Sequence, residues 1–160
     1  MSDQAFVDGL LAMMREAVEG GKPGEGTGFM ENTKADGSGN HGLLPTMASL
    51  TAAQASAPTA LGTSVAAHCA HVAYHLEVTV RWVNGDRGPF DWKGSFEPRV
   101  VNDAEWKDRQ ARVRAAYEGV VALARSTPEW NDDAAGGIAA TLAHLAYHVG
   151  AVRQIVKLAV

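Results

Sequence analysis

His68-Cys69-Ala70-His71-Val72-Ala73-Tyr74-His75 and His144-Leu145-Ala146-Tyr147-His148-Val149-Gly150 carry one pentapeptide pattern twice, His-x-Ala-Tyr-His, each time inside a long apolar segment. Five of the six histidines lie in these two stretches, and only His41 stands elsewhere. Residues i, i+3, i+4 and i+7 share one face of a helix. His68, His71 and His75 therefore form one imidazole stripe, and His144 and His148 form another. Two such stripes facing each other would make a metal site.

Outward from the first stripe, the spacing predicts a helix from about Gly62-Thr63-Ser64, with a hydroxyl as N-cap, to Val83, where Asn84-Gly85-Asp86 ends it. No charged residue occurs from Gly37 through Leu76, so most of this helix is expected to be enclosed. Outward from the second stripe, a helix is expected from about Gly136 to Leu158, with Leu142, Leu145, Val149, Val152 and Val156 as its core ridge. Ala134 to Val152 is free of Asp, Glu, Lys and Arg and approaches the length of a membrane span. Its Ala, Gly, Thr and His content makes it a core helix instead.

Two further helices complete the set. Residues 2–19 repeat apolar side chains as Phe6, Leu10, Met13 and Ala17, with Val7, Leu11, Met14 and Val18 beside them, a wide amphipathic stripe. Asn102-Asp103-Ala104-Glu105 has the form of a capping box. The helix it opens turns Trp106, Val113, Tyr117, Val120, Val121 and Ala124 inward until Thr127-Pro128 stops it.

Between these helices, residues 20–42 are rich in Gly, Asn, Ser and Thr and read as a long, flexible, Gly-rich crossover after helix one. A short helix over Leu50–Ala55 precedes Pro58. Residues 87–101 combine turn formers with bulky aromatics and read as an ordered loop with its rings over one end of the molecule. Four long helices and no comparable strand signal give an all-α fold, a four-helix bundle in a single domain over residues 1–160.

The 160 residues, 46% hydrophobic and 20% charged, fit one globular domain with a substantial core. The net charge of −4 leaves no basic footprint, so neither nucleic acid nor an anionic membrane is an expected partner. Cys69 is the only cysteine, which rules out an intramolecular disulfide and favours a reducing, cytoplasmic location. Met1-Ser2-Asp3-Gln4 lacks the basic lead of a secretory signal.

The histidines admit two readings. A single buried His is commonly a core residue hydrogen-bonded to a carbonyl or hydroxyl. Burying five neutral imidazoles with no carboxylate near them in sequence is costly, and a divalent ion that accepts their nitrogens offsets that cost. Three imidazoles without a thiolate leave positions open for water or substrate, the pattern of a catalytic site. Zn²⁺ or Ni²⁺ suits the donors best. A water bound there would have a lowered pKa, and an open position would activate a thiolate.

The chain resembles the DinB/YfiT-like superfamily of metal-dependent four-helix bundles, sometimes described as DNA-damage-inducible proteins. The likeness rests on His71 in Ala70-His71-Val72-Ala73 and on the His-x-x-x-His-x-Gly element His144-Leu-Ala-Tyr-His148-Val-Gly150. It extends from Leu50 onward and includes Asp91-Trp92-Lys93-Gly94-Ser95 and the Trp106 helix. The resemblance implies a three-histidine metal site of His71, His144 and His148, on a bundle that often forms homodimers. It also implies small-molecule chemistry with a low-molecular-weight thiol as cofactor, as in bacillithiol- or mycothiol-using S-transferases and thiol-dependent maleylpyruvate isomerases. The chain departs from the pattern twice. The helix of His71 carries extra histidines, so His75 is an alternative or fourth ligand and His68 a candidate partner of a ligand. Ala151 follows Gly150 where many relatives have Gln, so any contact made by that amide is absent.

Tyr74 and Tyr147 are candidate hydrogen-bond donors to a bound substrate; the competing reading makes them core residues with hydroxyls at the rim. Glu77 is two positions from His75, points elsewhere on the helix, and is expected to pair with Arg81. Cys69 reads as a small buried apolar residue. Two functions follow: a metal-dependent enzyme for thiol S-transfer or isomerisation, or a non-enzymatic bundle whose ion fixes the His71 helix against the His144 helix.

Overall fold

In the computed structural model, which describes residues 3–31 and 33–158, every regular element among the described residues is helical. The order is α1 (Asp3–Glu19), α2 (Leu43–Ala48), α3 (Ala52–Ser56), α4 (Val65–Val83), a 3-10 turn (Gly94–Phe96), α5 (Asp103–Ser126) and α6 (Asp132–Leu158). The histidine segments lie on α4 and α6. The expected start of helix one at Ser2 lies outside the described residues.

α4, α5 and α6 each begin where a capping side chain sets the start. Ser64 Oγ accepts the Ala67 N–H at 3.1 Å, so α4 starts at Val65. Asn102 and Glu105 exchange both bonds of a capping box at the head of α5. At α6, Asn131 Oδ1 accepts the Ala134 N–H at 2.9 Å, and the helix starts at Asp132 rather than near Gly136. Asp132 and Asp133, read from sequence as a turn, instead place negative charge on the first turn, where the helix dipole favours it. The short helix expected over Leu50–Ala55 is α3, held by a Thr51/Gln54 capping box. The sequence reading missed α2, whose Leu43, Leu44 and Met47 are buried and whose Pro45 sits in the tolerant first turn.

α4 packs against both α5 and α6, and α1 packs against α6 and, less extensively, α5. Val7, Leu11, Met14 and Val18 from α1 enter a core shared with Val72 and Leu76 of α4, Val113 and Val120 of α5, and Leu145, Val149 and Val152 of α6. Of the two apolar rows on α1, the one containing Phe6 is only partly buried: Phe6 is exposed, Leu10 packs against the core and Ala17 lies within it. α6 has the length and apolar composition to cross a membrane. Here it delivers one face to the core.

Segment 20–42 contains no regular element among its described residues and is tied to α1 at several points. The Glu16 carboxylate accepts the N–H groups of Gly28, Phe29 and Met30 at 2.6, 2.9 and 2.6 Å. Burial opposes the charge of Glu16, but those donors outweigh it and hold the carboxyl below its usual range. A side chain at Gly42 would meet the backbone of Gly20 at 2.2 Å, so the two ends of the segment touch where only glycine fits.

Candidate metal centre

α4 and α6 run antiparallel where their histidines meet. His68 contacts His148, His71 contacts His144, and further along α4 Thr79 Oγ1 lies 3.3 Å from Thr141 Oγ1. Rising numbers on α4 meet falling numbers on α6. This register brings His71, His144 and His148 together, with one ring nitrogen from each inside a group whose members lie within 4.8 Å of one another. The His71 and His144 Nε2 atoms are 3.0 Å apart. Nitrogens sharing a tetrahedral ion at about 2 Å stand roughly 3.3 Å from each other, so this pair already has the required spacing.

The loop between α4 and α5 fixes the His71 ring. His71 Nδ1 lies 2.6 Å from Ser95 Oγ, and the Ser95 hydroxyl donates to the Trp92 carbonyl at 2.6 Å. Because the single hydroxyl proton is committed to Trp92, Ser95 Oγ accepts from His71 Nδ1–H. The lone pair of His71 is thereby left on Nε2, toward His144, the arrangement by which an outer hydrogen bond sets the tautomer of a metal-binding imidazole. Phe96 stacks on the His71 ring at 4.0 Å and 10°. Arg109 secures the loop by donating to the carbonyls of Ala66 and Pro98 at 2.7 and 2.9 Å. The aromatic loop thus runs along α4, with Phe96 and Trp92 against the histidines and Phe90 against Trp82, rather than over one end of the molecule.

Electrostatics keep the rings neutral. Burial, reinforced by the neighbouring imidazoles, lowers His71, His75 and His144 to about 4 and His148 to about 3. Burial also lowers His68. Neutral imidazole is the form that binds a metal ion. No carboxylate belongs to the three-histidine group, and the donor set fits a borderline divalent ion rather than calcium or magnesium.

The remaining sequence candidates divide. His68 Nδ1 sits 2.9 Å from His148 Nδ1, in position to orient that ring. His75 lies outside the three-histidine group; its ring stacks on His144 at 3.7 Å and 13°, and its Nδ1 is buried without a hydrogen-bond partner. Tyr74 is half-buried, with its ring at 90° to Trp92 and 5.4 Å away. Tyr147 is 71% exposed beside His148. Cys69 is fully buried, and burial pushes its thiol up to about 12, which keeps it protonated at neutral pH. Glu77 pairs with Arg112 rather than Arg81, through two bonds of 2.7 Å that join α4 to α5. Arg81 turns instead to Asp86 beyond the helix end.

Sequence reasoning missed Ser95 as the partner of His71. The only available signal was a hydroxyl placed among the aromatics of Trp92-Lys93-Gly94-Ser95-Phe96. It also missed a cavity of about 450 Å³ next to the histidines, which His75 helps to line. No protein-family model, no curated protein and no solved structure matches this chain.

Proposed function

We propose that the chain is a metal-dependent enzyme on a four-helix bundle of the DinB/YfiT-like kind, in which His71, His144 and His148 hold Zn²⁺ or Ni²⁺. The reaction proposed is transfer of a low-molecular-weight thiol to a small electrophile, or a thiol-dependent isomerisation. In the transfer, sulfur forms a bond to the electrophilic carbon, the leaving group departs with the electrons of the broken bond, and the thiol proton passes to solvent. A cytoplasmic location and a homodimer belong to the same proposal.

The observation that carries the reading is the convergence of three neutral imidazoles from two helices, one of them with its tautomer set by Ser95. A divalent ion held there supplies positive charge that favours a thiolate over a thiol at neutral pH. Ser95 keeps the His71 proton on Nδ1, and His68 steadies His148. Tyr74 and Tyr147 are the hydroxyls proposed to donate hydrogen bonds to substrate.

A specific feature favours catalysis over a purely structural ion. His75, a further imidazole within reach, stacks on His144 instead of joining the group, and it lines a cavity. A closed four-histidine shell without a cavity would have pointed the other way. Elemental analysis of purified protein from metal-replete medium, followed by a transfer screen with several low-molecular-weight thiols, tests the proposal. Close to one equivalent of metal and turnover with at least one thiol are expected. Only trace metal would end the catalytic reading.

A further inference from the structure

We infer that the cavity beside the histidines is the binding site of a neutral aromatic small molecule, the electrophile that the thiol attacks. Assignment of that catalytic part rests on the metal-dependent reading above; the binding site itself does not. The cavity lies between the second half of α4, the end of α5, the first half of α6 and the loop after α4. Its volume, about 450 Å³, falls in the range that encloses a small organic ligand. His75 lines it, and the same ring stacks on His144. His75 therefore links the cavity to the three-histidine group.

The chemistry of the walls selects the occupant. Trp82, Phe90, Trp92 and Trp130 supply four aromatic rings, and Trp82 and Trp92 are left 51% and 43% exposed. Such surfaces reward another ring by stacked and edge-on contacts. The hydroxyls of Thr79 and Thr141, which also line the cavity, are already engaged with each other and with the carbonyls of His75 and Gly137. They offer little to a strongly polar ligand. A cation is disfavoured because Arg87 already lies over Trp82 at 4.4 Å and Arg81 over Phe90 at 4.9 Å. An anion is disfavoured by Asp133, the carboxylate among the lining residues. What remains is a neutral ring.

Three of the four tryptophans line this cavity, so saturable quenching of their fluorescence by nitrobenzene measures its occupancy. Anisole should displace nitrobenzene, while benzoate and phenyltrimethylammonium should compete about tenfold or more less well. The discriminating variant is Gly137→Leu. A Cβ at Gly137 meets no heavy atom within 4 Å, the position lines the cavity, and leucine is the better helix former, so the variant keeps its fold and fills the space. Nitrobenzene should bind it about tenfold or more weakly, with metal content unchanged. Binding should survive removal of the metal by a chelator, because the four aromatic walls are not ligands. Absence of saturable quenching, quenching that Gly137→Leu leaves unchanged, or tighter binding of either charged ring would overturn the inference. Protein that binds nitrobenzene but never holds metal would retain the aromatic site and lose the thiol chemistry instead.

Discussion

The two copies of His-x-Ala-Tyr-His have almost the same sequence and different fates. On α6 both histidines enter the three-imidazole group. On α4 only His71 does, while His75 stacks on His144 and lines the cavity. The tyrosines diverge too: Tyr74 is half-buried against Trp92, and Tyr147 is largely exposed. The antiparallel register is the cause. It sets His68 against His148 and His71 against His144, so His75 has run past the point where three nitrogens converge and meets the flat face of a ring already in use. A repeated motif marks a meeting of two helices; their direction assigns the roles.

Exchanging roles between the copies would break this comparison. The largest effect is expected for His144→Ala, which should abolish stoichiometric metal binding while circular dichroism shows helix content largely intact. Retention of a full equivalent of metal would remove His144 from the ligand set.

Next in size is the response of metal-free protein to acid. Burial and mutual repulsion hold His71, His75 and His144 near 4 and His148 near 3 in the folded state, against an ordinary 6.5. Above 6.5 neither the folded nor the unfolded chain is charged at these rings, and they impose no penalty. As pH falls from 6.5 toward 4, the unfolded chain takes up protons that the folded chain refuses, so stability declines through that window. Thermal unfolding at about pH 5 should therefore occur at lower temperature than at about pH 8. Equal midpoints would mean that the rings are not held neutral.

Ser95→Ala should weaken metal binding by about 10–100-fold, the usual cost of losing a group that orients a ligand imidazole. Equilibrium competition with a chromophoric chelator measures it, and an unchanged affinity would show that the tautomer of His71 is set in some other way. The smallest effect sharpens the contrast most. His75→Ala should change metal affinity by less than about tenfold, because it removes a stacking neighbour rather than a donor. A loss as complete as that of His144→Ala would make His75 a ligand and the two copies equivalent.

Much of the helical layout was legible in sequence because helix signals are local. Caps at Ser64 and Asn102 and the 3.6-residue spacing of Val72, Leu76, Leu145 and Val149 need no knowledge of the rest of the chain. The start of α6 was misplaced because glycines at 136 and 137 obscured the Asn131 cap upstream. α2 was missed because Leu43-Leu44-Pro45-Thr46-Met47-Ala48 is too short to show a period. At the site, the histidines announced themselves by repetition. Their division into donors and neighbours did not, since it depends on the direction in which two remote helices pass. Glu77 failed for a related reason: its local partner Arg81 was visible in sequence, whereas Arg112 arrives from another helix.

Trp92 and Ser95 occupy one short loop, the first as a wall of the aromatic cavity and the second as the acceptor that steers the His71 proton. The Trp92 carbonyl also receives the Ser95 hydroxyl, so the two roles share an atom-to-atom link. A guest that shifts Trp92 is therefore expected to shift Ser95 as well, and with it the acceptor of the His71 N–H. With cobalt substituted as a coloured reporter, titration of a ring-bearing guest into the cavity should shift the visible absorption of the metal even though the guest never touches it.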